Sequence, residues 1–191
     1  MKTLKIVFFS SLLLLTSCDK IAEAFSALNC QFRVKNVSDT KVSSINIQGA
    51  NSLSEISAFN LLLIGSDLTA GKVPLKFNLN LEAKNPNEKK ASLAAFDWIL
   101  VVNDQELFSG KMTDAVDLAG GDAVTGISLP VEADLFKLVP GGGLEDILNV
   151  ALAISGYNTK PGNVKVKIKP SLSVAGVSIP YNDYITVGVS F

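Results

Sequence analysis

Apolar and polar residues alternate most regularly between residues 73 and 84. The apolar side of this segment carries Val73, Leu75, Phe77, Leu79, Leu81 and Ala83. The other side carries Pro74, Lys76, Asn78, Asn80, Glu82 and Lys84. An antiparallel sheet with one face on the core and one in water produces this period of two. The pattern predicts a strand that ends at Asn85-Pro86-Asn87, because proline lacks a ladder donor and asparagine favours turns.

Shorter segments along the chain repeat the alternation. They predict strands at residues 30–35, 42–48, 93–102, 105–112, 123–131, 164–169, 172–174 and 185–191. The turn-rich segment from Asn36 to Thr40 and a turn at Gly176 separate neighbouring strands. Asn103-Asp104 predicts a hairpin turn because both residues tolerate positive φ, and Gly110 marks a bulge or a close approach.

Two segments show helical spacing instead. Residues 53–64 favour a short helix with Ser52 as its N-cap, although residues 61–64 also fit a buried strand. Residues 144–155 give the main helical pattern, with Glu145 and Asp146 near the positive end of the helix dipole and Gly156 as the terminator.

The first 17 residues have the layout of a secretory signal. Lys2 and Lys5 precede the apolar run from Ile6 to Leu15, which is too short to cross a bilayer as a helix of about 20 residues. Leu15-Thr16-Ser17-Cys18 then resembles a bacterial lipobox. That resemblance implies cleavage before Cys18 and acylation of this residue with a diacylglyceryl group and an amide-linked chain such as palmitate. The alternative is an ordinary signal peptide that ends near a cysteine.

Acylation of Cys18 would place the protein on a bacterial membrane, because several acyl chains give stable anchoring where one does not. Residues 18–29 would form a lipidated tether, or a short amphipathic helix with Ile21, Phe25 and Leu28 on one side. We expect the outer membrane, although Asp19 after the cysteine leaves both the choice of membrane and the leaflet open.

The composition fits one domain after the signal, at residues 30–191 of the 191-residue chain. Loss of Lys2 and Lys5 with the signal leaves 15 basic and 18 acidic residues, a net charge of −3. This mildly acidic balance argues against a nucleic-acid partner. It also gives no electrostatic attraction to anionic lipid, so attachment would depend on the acyl chains.

Cysteine and histidine usage restricts the chemistry. With Cys18 acylated, Cys30 has no partner for an intramolecular disulfide. Cys30 is either a reactive thiol or, as we favour, a small buried hydrophobe. The chain has no histidine, so it lacks the commonest general base and metal ligand. We expect no cofactor, no metal and no enzymatic activity.

The segment from Phe77 to Asn87 resembles the late-embryogenesis-abundant type 2 family, also called the WHy domain. The strand at Phe96–Val102, the Asn103-Asp104 turn, Gly110 and the order of the later elements continue the resemblance, which covers about residues 72–191. It implies a fibronectin-III- or immunoglobulin-like antiparallel β-sandwich with one or two helices. The family contributes no catalytic residues. The lipoprotein signal and the residues before the match distinguish this chain from plant members.

Two groups of residues are candidate binding sites. Lys165, Lys167 and Lys169 share one strand face and could hold an acidic ligand, or form a solvated face or a protected sheet edge. Tyr181, Asp183 and Tyr184 could bind sugar by stacking and hydrogen bonding, or form a plain turn. Gly141-Gly142-Gly143 lacks the Gly-Lys-Ser/Thr ending of a phosphate loop and predicts a lead-in to the helix.

The sequence therefore predicts a non-catalytic, lipid-anchored envelope lipoprotein with a β-sandwich binding module, linked to envelope or stress protection. Its partners would be the membrane, through acylated Cys18, and an envelope protein or glycan. The alternative is a carrier that holds a lipid or other small apolar ligand between a sheet and the helix at residues 144–155. A glycan hydrolase with two carboxylates is a third hypothesis, which no motif supports.

Overall fold

The protein is a mainly β structure with two antiparallel sheets. The computed structural model describes residues 29–158, 164–174, 177–188 and 190. The predicted signal peptide, Cys18 and nearly all of the tether lie outside the described residues, as do Gly176, Val189 and Phe191. The strands are β1 Gln31–Val42, β2 Ile45–Asn46, β3 Pro74–Asn85, β4 Ala91–Val102, β5 Gln105–Met112, β6 Val116–Leu118, β7 Ala123–Asp134, β8 Val164–Val174, β9 Val177–Pro180 and β10 Ile185–Val187.

The strands divide into a four-stranded and a six-stranded sheet. The first has the order β2-β1-β3-β7. The second has the order β10-β8-β4-β5, with β6 paired to β4 and β9 paired to β8. The mainly β fold that the family resemblance implied, with two antiparallel sheets built from the alternating segments, is confirmed. The Val34 N–H also donates to the Gly188 carbonyl at 2.9 Å, so β1 joins the two sheets along one side.

Strand β3 confirms the clearest sequence pattern. Its apolar side, from Val73 to Ala83, is buried in the core at every second position. It pairs with β1 from Lys84 to Leu75 and with β7 along its whole length. A strand with neighbours on both sides loses no backbone hydrogen bonds, and its apolar side packs on the opposite sheet.

The β4–β5 hairpin also forms as predicted. Asn103 and Asp104 have φ values of 50° and 62°, the left-handed backbone of a two-residue hairpin turn. Gly110 lies against Trp98, and a Cβ atom there would overlap the indole ring. Gly110 is thus a close-approach site, whereas the register shift of this hairpin falls at Leu100 and Val101.

The N-terminal strands differ from the prediction. The residues from Asn36 to Thr40, predicted as a turn, lie inside β1, which absorbs them through register shifts at Val34/Asn36 and Ser38/Lys41. The actual turn is at Ser43, with a φ of 58°, and the strand predicted at 42–48 shrinks to Ile45–Asn46. Bulges let a strand accommodate turn-forming residues such as Asp39, whose φ is 56°, without leaving the sheet.

The helices are α1 Ala58–Thr69, α2 Leu135–Leu138 and α3 Leu144–Ser155. A helix rather than a strand covers residues 61–64, and it extends to Thr69. The predicted cap is misplaced: the Ser57 hydroxyl accepts from the Asn60 N–H at 3.2 Å, while Ser52 precedes a single 3-10 turn at Leu53–Glu55. Helix α3 has the predicted bounds and ends at Gly156. Among the described residues, no helix has the length and apolarity to cross a bilayer.

The sandwich has two distinct ends. The strand ends at Gln31, Asn85, Ala123 and Leu118 lie together at what we call the Asn-Pro-Asn end. The ends at Val42, Pro74 and Asp134 lie at the opposite, helical end, where the Leu135 N–H donates to the Val73 carbonyl. Gly65 of α1 approaches Leu144 of α3, and the Ser155 hydroxyl donates to the Ile47 carbonyl.

Candidate functional site

The row of lysines on β8 belongs to a salt-bridged sheet face. Lys165 Nζ lies 2.7 Å from Asp104 Oδ1, and Lys167 Nζ lies 2.7 Å from Glu106 Oε1. The hydrogen bond and charge of Lys165 lower the pKa of Asp104. Because β8 lies between β4 and β10, the interpretation of these lysines as edge protection is wrong. An acidic ligand at Lys165 or Lys167 would have to displace carboxylates of the protein itself.

Lys169 is on the same strand as the other two lysines, but it lies near a tyrosine ring. Its Nζ is 5.8 Å from the centroid of the Tyr184 ring, within cation–π range. Tyr181 and Tyr184 are both exposed, and the Tyr181 N–H donates to the Pro170 carbonyl at 2.8 Å. The structure therefore brings together Lys169 and Tyr184, whereas Lys165 and Lys167 belong to ion pairs with the β4–β5 hairpin.

Strand β3 ends at Asn85, and Pro86 and Asn87 carry the chain away from the sheet. The buried Asn85 amide donates to the carbonyls of Lys89 and Leu118 at 3.0 and 3.1 Å. Its Oδ1 accepts from the Asn87 N–H at 3.0 Å and from the Asn87 side chain at 2.8 Å. These bonds join β3, the turn and β6, so Asn85 couples the two sheets rather than facing a ligand.

Only one of the two cysteines lies within the described residues. Cys18 lies outside the described residues. Cys30 is buried in the core, and this burial raises the pKa of its thiol to about 11. A protonated thiol is a poor nucleophile, so the structure supports the interpretation of Cys30 as a small buried hydrophobe.

The outer face of the four-stranded sheet holds an ionic cluster that sequence reasoning missed. Glu82 is almost fully buried there, with its Oε2 2.6 Å from Arg33 and its Oε1 3.1 Å from Lys35. The hydrogen bonds to Arg33 and Lys35 lower the pKa of Glu82. Arg33 and Lys35 lie on β1 and Glu82 lies on β3. Only the register of β1 against β3 shows that these charged side chains meet.

Helix α1 exposes an apolar face at the helical end. Phe59 and Leu62 are 68% and 73% exposed, Leu63 is also exposed, and Ile64 alone on this helix is buried. Their spacing places these exposed residues on adjacent positions of the helix surface. The sequence signal for this exposed surface was the apolar run Leu61-Leu62-Leu63-Ile64. An apolar run, however, usually indicates burial rather than exposure.

An open cleft of about 540 Å³ lies beside α3 and the 3-10 turn at Leu53–Glu55. Asparagines from three separate segments line it: Asn51 before the 3-10 turn, Asn103 in the β4–β5 turn and Asn149 on α3. Leu53, Leu152 and Ala153 supply its apolar wall, with Ser52, Ser54 and Gly156 completing the lining. No sequence pattern could have found this cleft, because its residues are up to about a hundred positions apart and meet only through the fold.

The space proposed for a carried lipid is filled by side chains. On α3, Ile147, Leu148, Ala151 and Ile154 are fully buried in the core against the sheets. An acyl chain between the sheets and α3 would have to displace them. The carrier hypothesis remains a prediction that requires this helix to move.

Comparisons with known proteins yield distant structural likenesses. No protein-family model matches the chain, and no curated protein matches it. It is similar to the solution structure of a putative late embryogenesis abundant (LEA) protein, with 14% identity, a TM-score of 0.36, and coverage of 96% of this chain and 87% of that chain. It is also similar to a crystal structure of a protein from Archaeoglobus fulgidus, with 9% identity, a TM-score of 0.31, and coverage of 62% and 87%. Neither likeness bears on function.

Proposed function

We propose that the protein is a non-catalytic, lipid-anchored component of a bacterial envelope that binds an envelope protein through its helical end. The observation that carries the proposal is the separation of the two ends of the sandwich. Gln31, the first residue of β1 after the tether, lies at the Asn-Pro-Asn end. The exposed apolar face of α1 lies at the other end.

The position of Gln31 supports one orientation for the anchored protein. Acyl chains on Cys18 would connect to the domain through residues 19–30, which reach at most about 40 Å. Strand β3, with 12 residues, separates the two ends by about 40 Å. The membrane therefore lies nearest the Asn-Pro-Asn end, and the helical end projects away from it.

The apolar face of α1 then has a protein rather than the supporting bilayer as its natural partner. Phe59, Leu62 and Leu63 leave a contiguous apolar surface in water, which is typical of an interaction site. Aromatic and leucine side chains on one helix face fit an apolar groove in a partner. The link to envelope or stress protection rests on the sequence resemblance of Phe77–Asn87 alone.

The anchor is tested by metabolic labelling with an alkyne analogue of palmitate, followed by membrane fractionation. We expect the wild-type chain to carry the label and to require detergent for extraction. Cys18→Ser should abolish labelling and processing. Cys30→Ala is the matched control, because it removes the other cysteine and should leave the label intact. Labelled Cys18→Ser protein would overturn the anchor.

The docking surface is tested by photo-crosslinking in the native envelope. A photoreactive amino acid at Leu62 should give an adduct of protein size. Val124, which is 50% exposed and lies near the Asn-Pro-Asn end, is the matched control. An adduct from Val124 but not from Leu62, or lipid adducts from Leu62, would contradict the proposed orientation.

A further inference from the structure

We propose that the cleft at the helical end binds a neutral oligosaccharide that carries N-acetyl groups. This site is distinct from the apolar face of α1 and does not depend on the lipid anchor. Four properties of the cleft support the assignment: its neutral lining, its three asparagines, its apolar wall and its open shape.

The lining excludes ligands that are bound mainly by charge. Among the described residues that line the cleft, none is charged. A phosphate, a carboxylate or a basic peptide would therefore enter without an ion pair to replace its hydration. An uncharged polar ligand loses less hydration and can regain it through hydrogen bonds.

The asparagines supply matched hydrogen-bonding groups. The amides of Asn103 and Asn149 each offer two donors and an acceptor, which suits the hydroxyl groups of a sugar and the amide of an N-acetyl group. The Asn103 and Asn149 side chains are exposed, and no hydrogen bond to another described residue engages their amides. Asn103 is fixed by the tight β4–β5 turn, and Asn149 projects from the rigid helix α3.

Contacts with Gly49 and Gly156 fix the Asn51 side chain. Its Nδ2 donates to the Gly49 carbonyl at 2.7 Å. Its Oδ1 lies 2.8 Å from the position that a Cβ atom of Gly156 would occupy, so the absence of a side chain at Gly156 allows this approach. A polar group fixed before binding loses little conformational freedom on contact with its ligand.

The apolar wall distinguishes an N-acetylated sugar from a plain one. Leu53, Leu152 and Ala153 line the same cleft as the asparagines and contribute aliphatic surface to it. The acetyl methyl group can pack on this surface, while the amide of the same group bonds to an asparagine. The volume of about 540 Å³ falls within the usual range for ligand sites, and its open form suits one part of a longer chain.

Saturation-transfer NMR with the full chain in detergent micelles tests the proposal. The probe is the β1,4-linked tetrasaccharide of N-acetylglucosamine, and cellotetraose is the matched ligand that lacks N-acetyl groups. We expect the strongest transfer at the acetyl methyl protons and at least tenfold weaker binding of cellotetraose. Co-sedimentation with intact peptidoglycan then distinguishes cell-wall glycan from free oligosaccharide as the source.

Two variants remove amides without disturbing the fold. Asn103→Gly keeps the positive φ of the turn, and Asn149→Ala improves helix propensity at an exposed site. Each should weaken binding of the tetrasaccharide at least tenfold, and Asn182→Ala, at an exposed position in another turn, should leave it unchanged.

Three results would overturn the assignment. The first is no transfer at tetrasaccharide concentrations up to about 10 mM. The second is equal binding of cellotetraose. The third is loss of binding in Tyr184→Ala with wild-type affinity in the asparagine variants, which would move the sugar site to the exposed tyrosines. Because the measurement is made in micelles, none of these results depends on whether the protein is anchored in the cell.

Discussion

Asparagine side chains have different roles at the two ends of the sandwich. At the Asn-Pro-Asn end, Asn85 is buried and its amide bonds to the carbonyls of Lys89 and Leu118. At the helical end, Asn103 and Asn149 are exposed along a cleft. A buried amide must be satisfied by the protein itself, whereas an exposed amide remains available to a ligand. Burial, rather than residue type, therefore separates the structural asparagine from those of the proposed binding site.

Replacement of Asn85 should give the largest effect on stability. Asn85→Ala leaves the carbonyls of Lys89 and Leu118 without their donor in a buried site, so we expect a loss of about 3 kcal/mol in the free energy of unfolding. Urea denaturation measures this loss. Asn149→Ala is the matched control and should change stability by less than about 0.5 kcal/mol. Equal effects of the two substitutions on stability would contradict the different roles of the buried and the exposed asparagine.

Replacement of one glycine at each end of the sandwich should give the next largest difference in stability. A Cβ atom at Gly120 would overlap the backbone carbonyl of Glu88, which cannot move aside easily, so Gly120→Ala should cost about 2 kcal/mol. Gly65, inside α1, has only Leu144 at 3.8 Å, so Gly65→Ala should stabilise the protein by up to about 1 kcal/mol. Thermal unfolding checks both values. A stabilising Gly120→Ala would show that the Asn-Pro-Asn end is loosely packed.

The acid dependence of stability should differ between two ion pairs. The pKa of Glu82 is lowered from 4.5 by Arg33 and Lys35, so the folded state binds this proton less readily than the unfolded chain. Its stabilisation is present above about pH 4.5 and is lost as the pH falls through the folded pKa. Glu82→Gln should therefore flatten the decline of the unfolding free energy in acid.

Asp104 provides the exposed counterpart at the helical end. Lys165 also lowers the pKa of Asp104, but both partners are largely exposed to solvent. At 1 M salt, with a Debye length of about 3 Å, the effect of Asp104→Asn should vanish while that of Glu82→Gln persists. Urea denaturation between neutral and acidic pH, at low and high salt, measures both. An equal salt response would contradict the difference in burial.

The apolar face of α1 should give the smallest effect on stability. Leu62→Ser alters a side chain that is mostly exposed, so we expect a change below about 0.5 kcal/mol in the unfolding free energy. Ile64→Ala, two positions along the helix but fully buried, should cost about 3 kcal/mol. A large loss in Leu62→Ser would show that this face packs within the domain rather than against a partner.

Local patterns predicted much of the fold but little of the binding surface. Strand β3, the Asn103-Asp104 turn and helix α3 depend on neighbouring residues, and their periodicity or turn chemistry identified them. The segment from Asn36 to Thr40 was misread because its turn-forming residues sit in bulges that only pairing with β3 maintains. Likewise, the ion pairs of Lys165 and Lys167 became visible only once the β4–β5 hairpin supplied Asp104 and Glu106.

The sequence alone determined the alternation of β3, the Asn103-Asp104 turn and helix α3, because these depend on contacts between residues near in sequence. It also supplied the lipobox at Leu15–Cys18, which remains a prediction about localisation. Only the tertiary structure decided which asparagines are buried and which line a cleft, and which apolar residues of α1 remain in water. Those properties depend on long-range packing, because three distant segments must meet before the cleft exists.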